Sequence, residues 1–471
     1  MYGRPQWDNI MKSTDGILND IPLEVVLRRI RYCRRFLAFG FILGVLFCVF
    51  YSVFLEWGYP YSTFLFRPND RFQDFFGVLR LTADRNPYQI RTVVGVLGHY
   101  PLEASNYLPF THLLLYPFTL INKYTSLVIY TLLIFGSSVF LTAKALAAGL
   151  SYGKSERYLN IIVFTLMSYP LLFILDRGNI EGIVFVFLAC AAWLYLTGHG
   201  KWAAACIGTA ASIKGFPILF LLLFIKERRW KELMIGVAVP ASLSLVALLF
   251  LKAGVLENLA LMIAALSHFG DFLLIWHNGI THSVSLFGMA YSVWIMIHQS
   301  FINVVTLKPF VAVYHMVAVV IGMSAVAYVY FSRLELWKVW FVLVAIVQLL
   351  PFPSYDYKLI HTMVPMFLLI RSGAETRLTR SYLMLLCLIV IPKGFWILFI
   401  DVRCGTIVNP LLISAVCILI ALEQYYGASL STAGVVVELP QKQETVAEHH
   451  IGISGSSQVK PVELGVVKLF A

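Results

Sequence analysis

Residues 36–54 read FLAFGFILGVLFCVFYSVF, an uninterrupted run without a single charged side chain. A helix needs about 20 such residues to cross a bilayer, and a helix in water would show an apolar stripe rather than an apolar circumference. The stretch predicts a membrane span. Residues 233–251 (LMIGVAVPASLSLVALLFL) repeat the pattern. The whole chain agrees: 59% of its 471 residues are hydrophobic and 13% are charged, against about 25% charged in soluble domains, and its mean hydropathy is +0.79. A water-soluble fold is excluded. The first apolar run is too long for a signal peptide and has no convincing cleavage site, so it is expected to stay as the first span.

The formal net charge is +11. The basic residues stand in short clusters beside hydrophobic segments, which is the pattern of cytoplasmic loops and not of a groove tracking nucleic-acid phosphates. No nucleic acid is expected as a partner. The seven cysteines are scattered, with Cys48, Cys190, Cys206, Cys387 and Cys417 inside apolar runs. Neither a disulfide framework nor a zinc site is indicated. No HExxH, GxSxG, phosphate-binding loop or EF-hand pattern is present, so ATP-driven transport and serine hydrolysis lack support.

Basic clusters set the threading. Arg28, Arg29, Arg31, Arg34 and Arg35 precede the first span and hold the segment 1–35 in the cytoplasm. An outer loop over 58–109 follows, then a half-inserted helix over 109–121, too short to cross and interrupted by Pro117. Spans over 124–147, 158–175 and 180–196 place Lys154 and Arg157 inside, residues 176–179 outside and Lys201 inside. Residues 202–225 contain Lys214-Gly215-Phe216-Pro217. Glycine and proline together break helices, so two short helices, up and then down, return Lys226, Arg228, Arg229 and Lys231 to the cytoplasm. A span over 233–251 leads to a second outer segment, 252–308, with an interfacial stretch near 284–302. Segments 309–331, 340–350, 359–370, 382–400 and 407–423 complete the bundle. The expected fold is all-α, a polytopic helical bundle of about 12 transmembrane helices. It comprises an embedded domain over 36–425 and a flexible cytoplasmic tail over 426–471.

This threading gathers isolated charges on one face: Asp74, Arg177, Lys214, His277, His282, Asp356, Lys358 and His361. Ionisable groups at membrane depth are expensive and usually functional. In RPNDRFQDFFGVLRLTADRNPY (67–88) Asp74 opens a short interfacial helix, where a carboxylate can act as general base on a hydroxyl. The plainer role is a helix cap or an ion pair with Arg71 or Arg80. In SYPLLFILDRGNIEG (168–182) Arg177 stands where an anionic head group would meet a helix N-terminus; otherwise it is a snorkelling arginine. In GTAASIKGFP (208–217) Lys214 ends a small-residue helix at a break, as at a phosphate or carboxylate site, or else reaches to the interface. HNGITHSVSLFG (277–288) and FPSYDYKLIH (352–361) add polar groups that are as common in structural roles.

Together these residues resemble the membrane glycosyltransferases of the GT-C superfamily, and most of all glycosyltransferase family eighty-seven, the polyprenol-phosphate-mannose-dependent transferases. The likeness lies in QDFFGVL with Asp74, NPY (86–88), Y-x-P-x-x-x-x-L-x-x-P (107–117), RGN (177–179) and K-x-x-P (214–217). It continues through HSVSLFG (282–288), which has His and Val where the family commonly has Asn and Gln, and PSYDYKLIHTMVP (353–365). The resemblance implies GT-C-like outer loops and interfacial helices. It implies an inverting transfer of mannose or another hexose from a polyprenyl-phosphate sugar donor to a lipid-linked glycan acceptor at the outer face of a bacterial cytoplasmic membrane. Asp74 would be the base. Arg177, Lys214 and His361 would hold the donor phosphate, and Asn179, His277, His282, Tyr355 and Lys358 would contact substrate. No metal and no cofactor are expected; membrane lipids are. Two other readings compete. A lipid-linked oligosaccharide flippase or other secondary transporter would carry matching helix breaks in its two halves, and the break at Lys214 has no evident mate. A membrane acyltransferase would draw on His112 and His361.

Overall fold

The computed structural model describes residues 22–53, 65, 71–89, 91–95, 98–147, 153–276, 283–298, 302, 304–372, 376, 378–395, 397 and 402–432. The expected cytoplasmic start and tail lie largely outside these. The chain begins with α1 (Leu23–Val53), α2 (Gln73–Ala83), an antiparallel hairpin of β1 (Arg91–Gly95) and β2 (Gly98–Glu103), α3 (Pro109–Thr119), α4 (Lys123–Ala147), α5 (Lys154–Leu166) and α6 (Tyr169–Arg177). It continues with α7 (Glu181–Leu196), α8 (Gly200–Ile213), a 3-10 segment over Phe216–Leu221, α9 (Leu222–Lys226), α10 (Trp230–Phe250) and α11 (Val255–Trp276). Last come α12 (Leu286–His298), α13 (Val304–Phe331), α14 (Leu336–Leu349), a second 3-10 segment over Asp356–Thr362, α15 (Met363–Ile370), α16 (Thr379–Val390) and α17 (Cys404–Thr432). Apart from the small hairpin in the first loop, the fold is all-α.

The helices show that this is a membrane protein. Among the described residues five are long and apolar enough to cross a bilayer, six if α5 and α6 form one bent span. In the most apolar stretch of α13 only 11% of residues are buried, and in that of α10 only 17%. Uniformly apolar helices with so little buried present their side chains outward, which requires a hydrocarbon surrounding.

The five or six spans among the described residues do not confirm the expected count of about 12, and the reasons are local. The expected span 158–175 is two helices meeting at 56°. Ser168 takes an extended conformation (φ −82°, ψ 106°) ahead of Pro170, whose ring cannot sit inside a continuing helix. The expected span 382–400 stops at Val390, because Ile391 precedes Pro392 and is held extended (ψ 159°). Helices α7, α14 and α16 have 16, 14 and 12 residues, too few to cross alone. Segment 252–308, expected as a second outer segment, contains α11, and α12 falls on its expected apolar stretch near 284–302.

The break at Lys214 forms as its Gly-x-Pro sequence dictates. Helix α8 ends at Ile213, Lys214 is extended (φ −136°, ψ 134°), and the chain resumes as a 3-10 turn leading into α9. A Cβ added to Gly200 would meet the Arg229 guanidinium, so the start of α8 and the end of α9 lie side by side. The up-and-down hairpin is confirmed. Its expected lack of a counterpart is not: residues 356–362 form a second 3-10 segment, followed by the eight-residue α15. The argument against transport from a missing mate therefore falls.

Small residues let the middle helices close up. A Cβ at Gly208 would stand 2.8 Å from the Gly236 carbonyl oxygen and 2.9 Å from Pro240 Cδ, bringing α8 and α10 together backbone to backbone. The basic cluster on α1 also packs. Arg29, 4% exposed, donates from Nη1 to the carbonyls of Leu369 (3.0 Å) and Ser372 (2.7 Å), capping the negative end of α15.

Candidate functional site

The site is organised by the turn between α6 and α7. Arg177 is the last residue of α6, and Gly178 then adopts φ 63°, a left-handed cap that L side chains resist. A Cβ at Gly178 would lie 2.7 Å from Phe75 Cβ, so α2 rests directly on this turn. The Phe72 N–H donates to the Asp176 carbonyl at 2.9 Å, and Arg71 Nε pairs with Asp176 Oδ1 at 3.1 Å. The first turn of α2 is thereby docked with Asp74 facing the turn.

Asp74 Oδ1 accepts from Arg177 Nη2, and its Oδ2 accepts from Asn179 Nδ2 at 2.6 Å. Asn179 is itself held at two other points: its Oδ1 accepts the Glu181 N–H at 2.9 Å and its carbonyl accepts Tyr130 Oη at 2.5 Å. Glu181, wholly buried, opens α7 and accepts from Lys214 Nζ on Oε2 (2.5 Å) and from His361 Nε2 on Oε1 (2.6 Å). Lys214 lies between two aromatic faces, 5.3 Å from the Tyr107 ring centre and 5.1 Å from that of Tyr357. The extended backbone at the α8 break makes this reach possible.

The second 3-10 segment supplies the opposite wall. Burial raises the Tyr355 phenol above its ordinary value, with Asp74 adding to the effect and Arg177 opposing it, which puts this ring beside the first cluster. Lys358 stands over the Phe216 ring at 5.7 Å. Its burial lowers the ammonium to about 8, with Glu181 opposing and Lys214 reinforcing. Burial likewise raises the Tyr107 phenol, and both Asp74 and Glu181 act on it, so the two carboxylates flank one space. His361 Nδ1 is buried without a partner among the described residues.

Of the residues singled out in the sequence, Asp74, Arg177, Asn179, Lys214, Tyr355, Lys358 and His361 come together. His277 and His282 lie outside the described residues. Asp356 departs from expectation: its Oδ2 accepts from Tyr169 Oη at 2.7 Å, and it lies 3.5 Å from where a Cβ at Gly405 would stand, away from the cluster and toward the start of α17. Asp74 pairs with Arg177 and not with Arg71 or Arg80. His112 is clamped between Thr82 Oγ1 (2.7 Å) and Ser105 Oγ (2.8 Å), as a structural histidine would be.

Sequence reasoning missed Glu181, Tyr107 and Tyr357. The signal for Glu181 was present: it is the one carboxylate opening a fifteen-residue uncharged run, GIVFVFLACAAWLYL. A carboxylate so placed requires cationic partners.

Chemically, the cluster sets two carboxylates against Arg177, Lys214, Lys358 and a histidine in an enclosure walled by tyrosines. Such a site can bind one further anion and hold one oxygen base beside it. The chain was compared with curated proteins, and no individual protein matched. A family model described as glycosyltransferase family 87 matches residues 106–353. The match takes in Tyr107, Arg177, Asn179, Glu181 and Lys214; it begins after Asp74 and ends before Tyr355. It spans more than half of the 471 residues, and a membrane bundle carrying carboxylates beside a cation cluster is compatible with that family: the chain is a membrane glycosyltransferase and belongs to glycosyltransferase family 87.

Proposed function

We propose that this glycosyltransferase moves a hexose, such as mannose, from a polyprenyl-phosphate donor to a hydroxyl of a lipid-linked glycan, at the outer face of a cytoplasmic membrane. The observation that carries the proposal is Asp74 held by Arg177 and Asn179, one turn of chain from the Lys214–Glu181–His361 cluster. In the transfer, the acceptor oxygen forms a bond to the anomeric carbon while the bond from that carbon to the phosphate oxygen breaks. The proton of the acceptor passes to Asp74. The phosphate gains a negative charge as it leaves, and cations positioned where charge develops stabilise it. One displacement inverts the anomeric centre.

A carboxylate in an ion pair is a weak base, and the geometry offers a remedy. With no donor bound, Arg177 and Lys214 neutralise Asp74 and Glu181. An arriving phosphate competes for both cations and for His361, releasing Asp74 to accept a proton. Tyr355 and Lys358 complete the donor side, and His277 and His282 are proposed substrate contacts. With the positive charge supplied by side chains, the reaction needs no divalent ion, and chelator leaves the rate unchanged.

The test is sugar transfer by purified protein in lipid nanodiscs. General bases contribute about 10²–10⁴ in rate. Asp74→Asn, which keeps the side-chain shape but only one of the two acceptors used by Arg177 and Asn179, is expected to lower turnover by at least that factor while donor binding persists. Turnover within a few-fold of wild type would remove Asp74 from the role.

A further inference from the structure

A partly open groove with a volume of about 110 Å³ runs along the side of the bundle between α4, α7 and α15. Its walls are apolar, among them Ala189, Ala192, Val364 and Leu368, and its upper end is closed by Phe185. Phe185 lies one helical turn after Glu181, and its ring centre is 6.2 Å from that of His361. The lower end, reached at Thr197, is about 18 Å further along α7 at 1.5 Å per residue. Lys144 and Arg371 stand there. Arg371 is fixed in place by a bond from Nη1 to the Ala145 carbonyl at 2.9 Å, while Lys144 is exposed.

We infer that this groove is a binding site for an anionic phospholipid of the leaflet opposite the reaction site, with its head group on Lys144 and Arg371 and an acyl chain rising to Phe185. The charge distribution chooses the occupant. A donor whose phosphate sits at Lys214 and His361 would run its tail downward and leave an apolar end against two cations. An anionic head group entering from below matches the cations, and its chain matches the walls. Such a lipid would buttress Phe185, and through it the ring of His361, so the inference concerns a second lipid site and does not depend on the identity of the sugar donor.

The experiment delipidates purified protein and exchanges it into detergent containing phosphatidylglycerol or phosphatidylcholine, then counts retained lipid by native mass spectrometry. Each basic residue near a lipid surface changes affinity for an anionic lipid about fivefold. Wild type is expected to retain one phosphatidylglycerol in preference to phosphatidylcholine. Lys144→Ala with Arg371→Gln should weaken that retention about twentyfold. Because Arg371 also holds Ala145, a second variant, Ala189→Phe, fills the groove with both cations intact and should equally lose the lipid. Equal retention of both lipids, unchanged retention in Ala189→Phe, or displacement of the bound lipid by polyprenyl phosphate would each overturn the inference; the last result would make the groove the seat of the donor tail.

Discussion

Glu181 and Lys214 form a buried ion pair on which both the proposed reaction and the fold depend. Removing one partner of such a pair leaves an uncompensated charge, at a cost of about 3–5 kcal/mol. Lys214→Met is therefore expected to lower thermal stability sharply, since Glu181 has no exposure to water. Adding Glu181→Gln should restore most of that stability while sugar transfer stays lost. Thermal unfolding followed in parallel with activity separates the two; recovery of activity in the double variant would show that Lys214 serves only the fold. Lys358 gives a pH signature. It is cationic below its depressed value near 8 and neutral above it, so a rate that uses this cation falls as pH rises through about 8. Lys358→Arg, whose guanidinium stays charged, should move that alkaline limb to higher pH. A limb unmoved by the substitution would assign it to another group. At this scale the sequence was legible where a charge stood alone in apolar surroundings, as with Lys214, or at the start or end of an apolar helix, as with Asp74 and Arg177. Glu181 escaped because it adjoins RGN and reads as part of a polar loop, although it opens an uncharged helix; its pairing with Lys214 and His361, remote in sequence, shows its place. Asp356 was placed with its neighbours Tyr355 and Lys358, but a 3-10 turn sends consecutive side chains in different directions.

Among the elements, the contact of α8 with α10 fixes how the Lys214 break is presented. Gly208→Leu would drive a side chain into the Gly236 carbonyl and Pro240, and Gly236→Leu would strike the Leu221 side chain. Overpacking of this kind costs about 1–3 kcal/mol. Both variants should unfold at lower temperature than wild type, whereas Gly77→Leu, where a Cβ meets nothing within 4 Å, should not. Equal stability of all three would mean the interface is plastic. The first helix break could be seen in advance because Gly215 and Pro217 fall together. The second could not, since residues 356–362 contain neither, and the 3-10 geometry there follows from tertiary packing around Gln348, which donates to the Lys358 carbonyl at 2.9 Å.

For the molecule as a whole, the sequence could supply an orientation but not a count. Clusters of arginine and lysine fix which ends share a side, and the Gly200–Arg229 contact bears this out for one hairpin. Helices shortened by Pro170 and Pro392 carry the same hydropathy as full spans, so their number is hidden from composition. Sidedness can be tested directly. Asn122, beside the α2–α3 surface, and His199, at the far end of α7, are both exposed. Single cysteines at these positions should react with an impermeant maleimide from opposite sides of a sealed vesicle, over a low background because Cys33, Cys48, Cys190, Cys206, Cys387, Cys404 and Cys417 are buried or half-buried. Labelling of both from one side would place the reaction site and the α7 terminus in the same compartment, contrary to the threading.

Residues 177–181 have a final consequence. Arg177 and Asn179 hold the proposed base Asp74, and Glu181 anchors the cluster proposed to receive the donor phosphate, all within five consecutive residues. The anchor points for the two proposed reaction partners are thus spaced by covalent geometry, like marks on a ruler, and the separate elements that carry Asp74, Lys214 and His361 dock onto them. Peripheral helices can breathe with bilayer thickness or temperature without changing that spacing, which leaves the periphery free to vary in sequence while the ruler stays fixed.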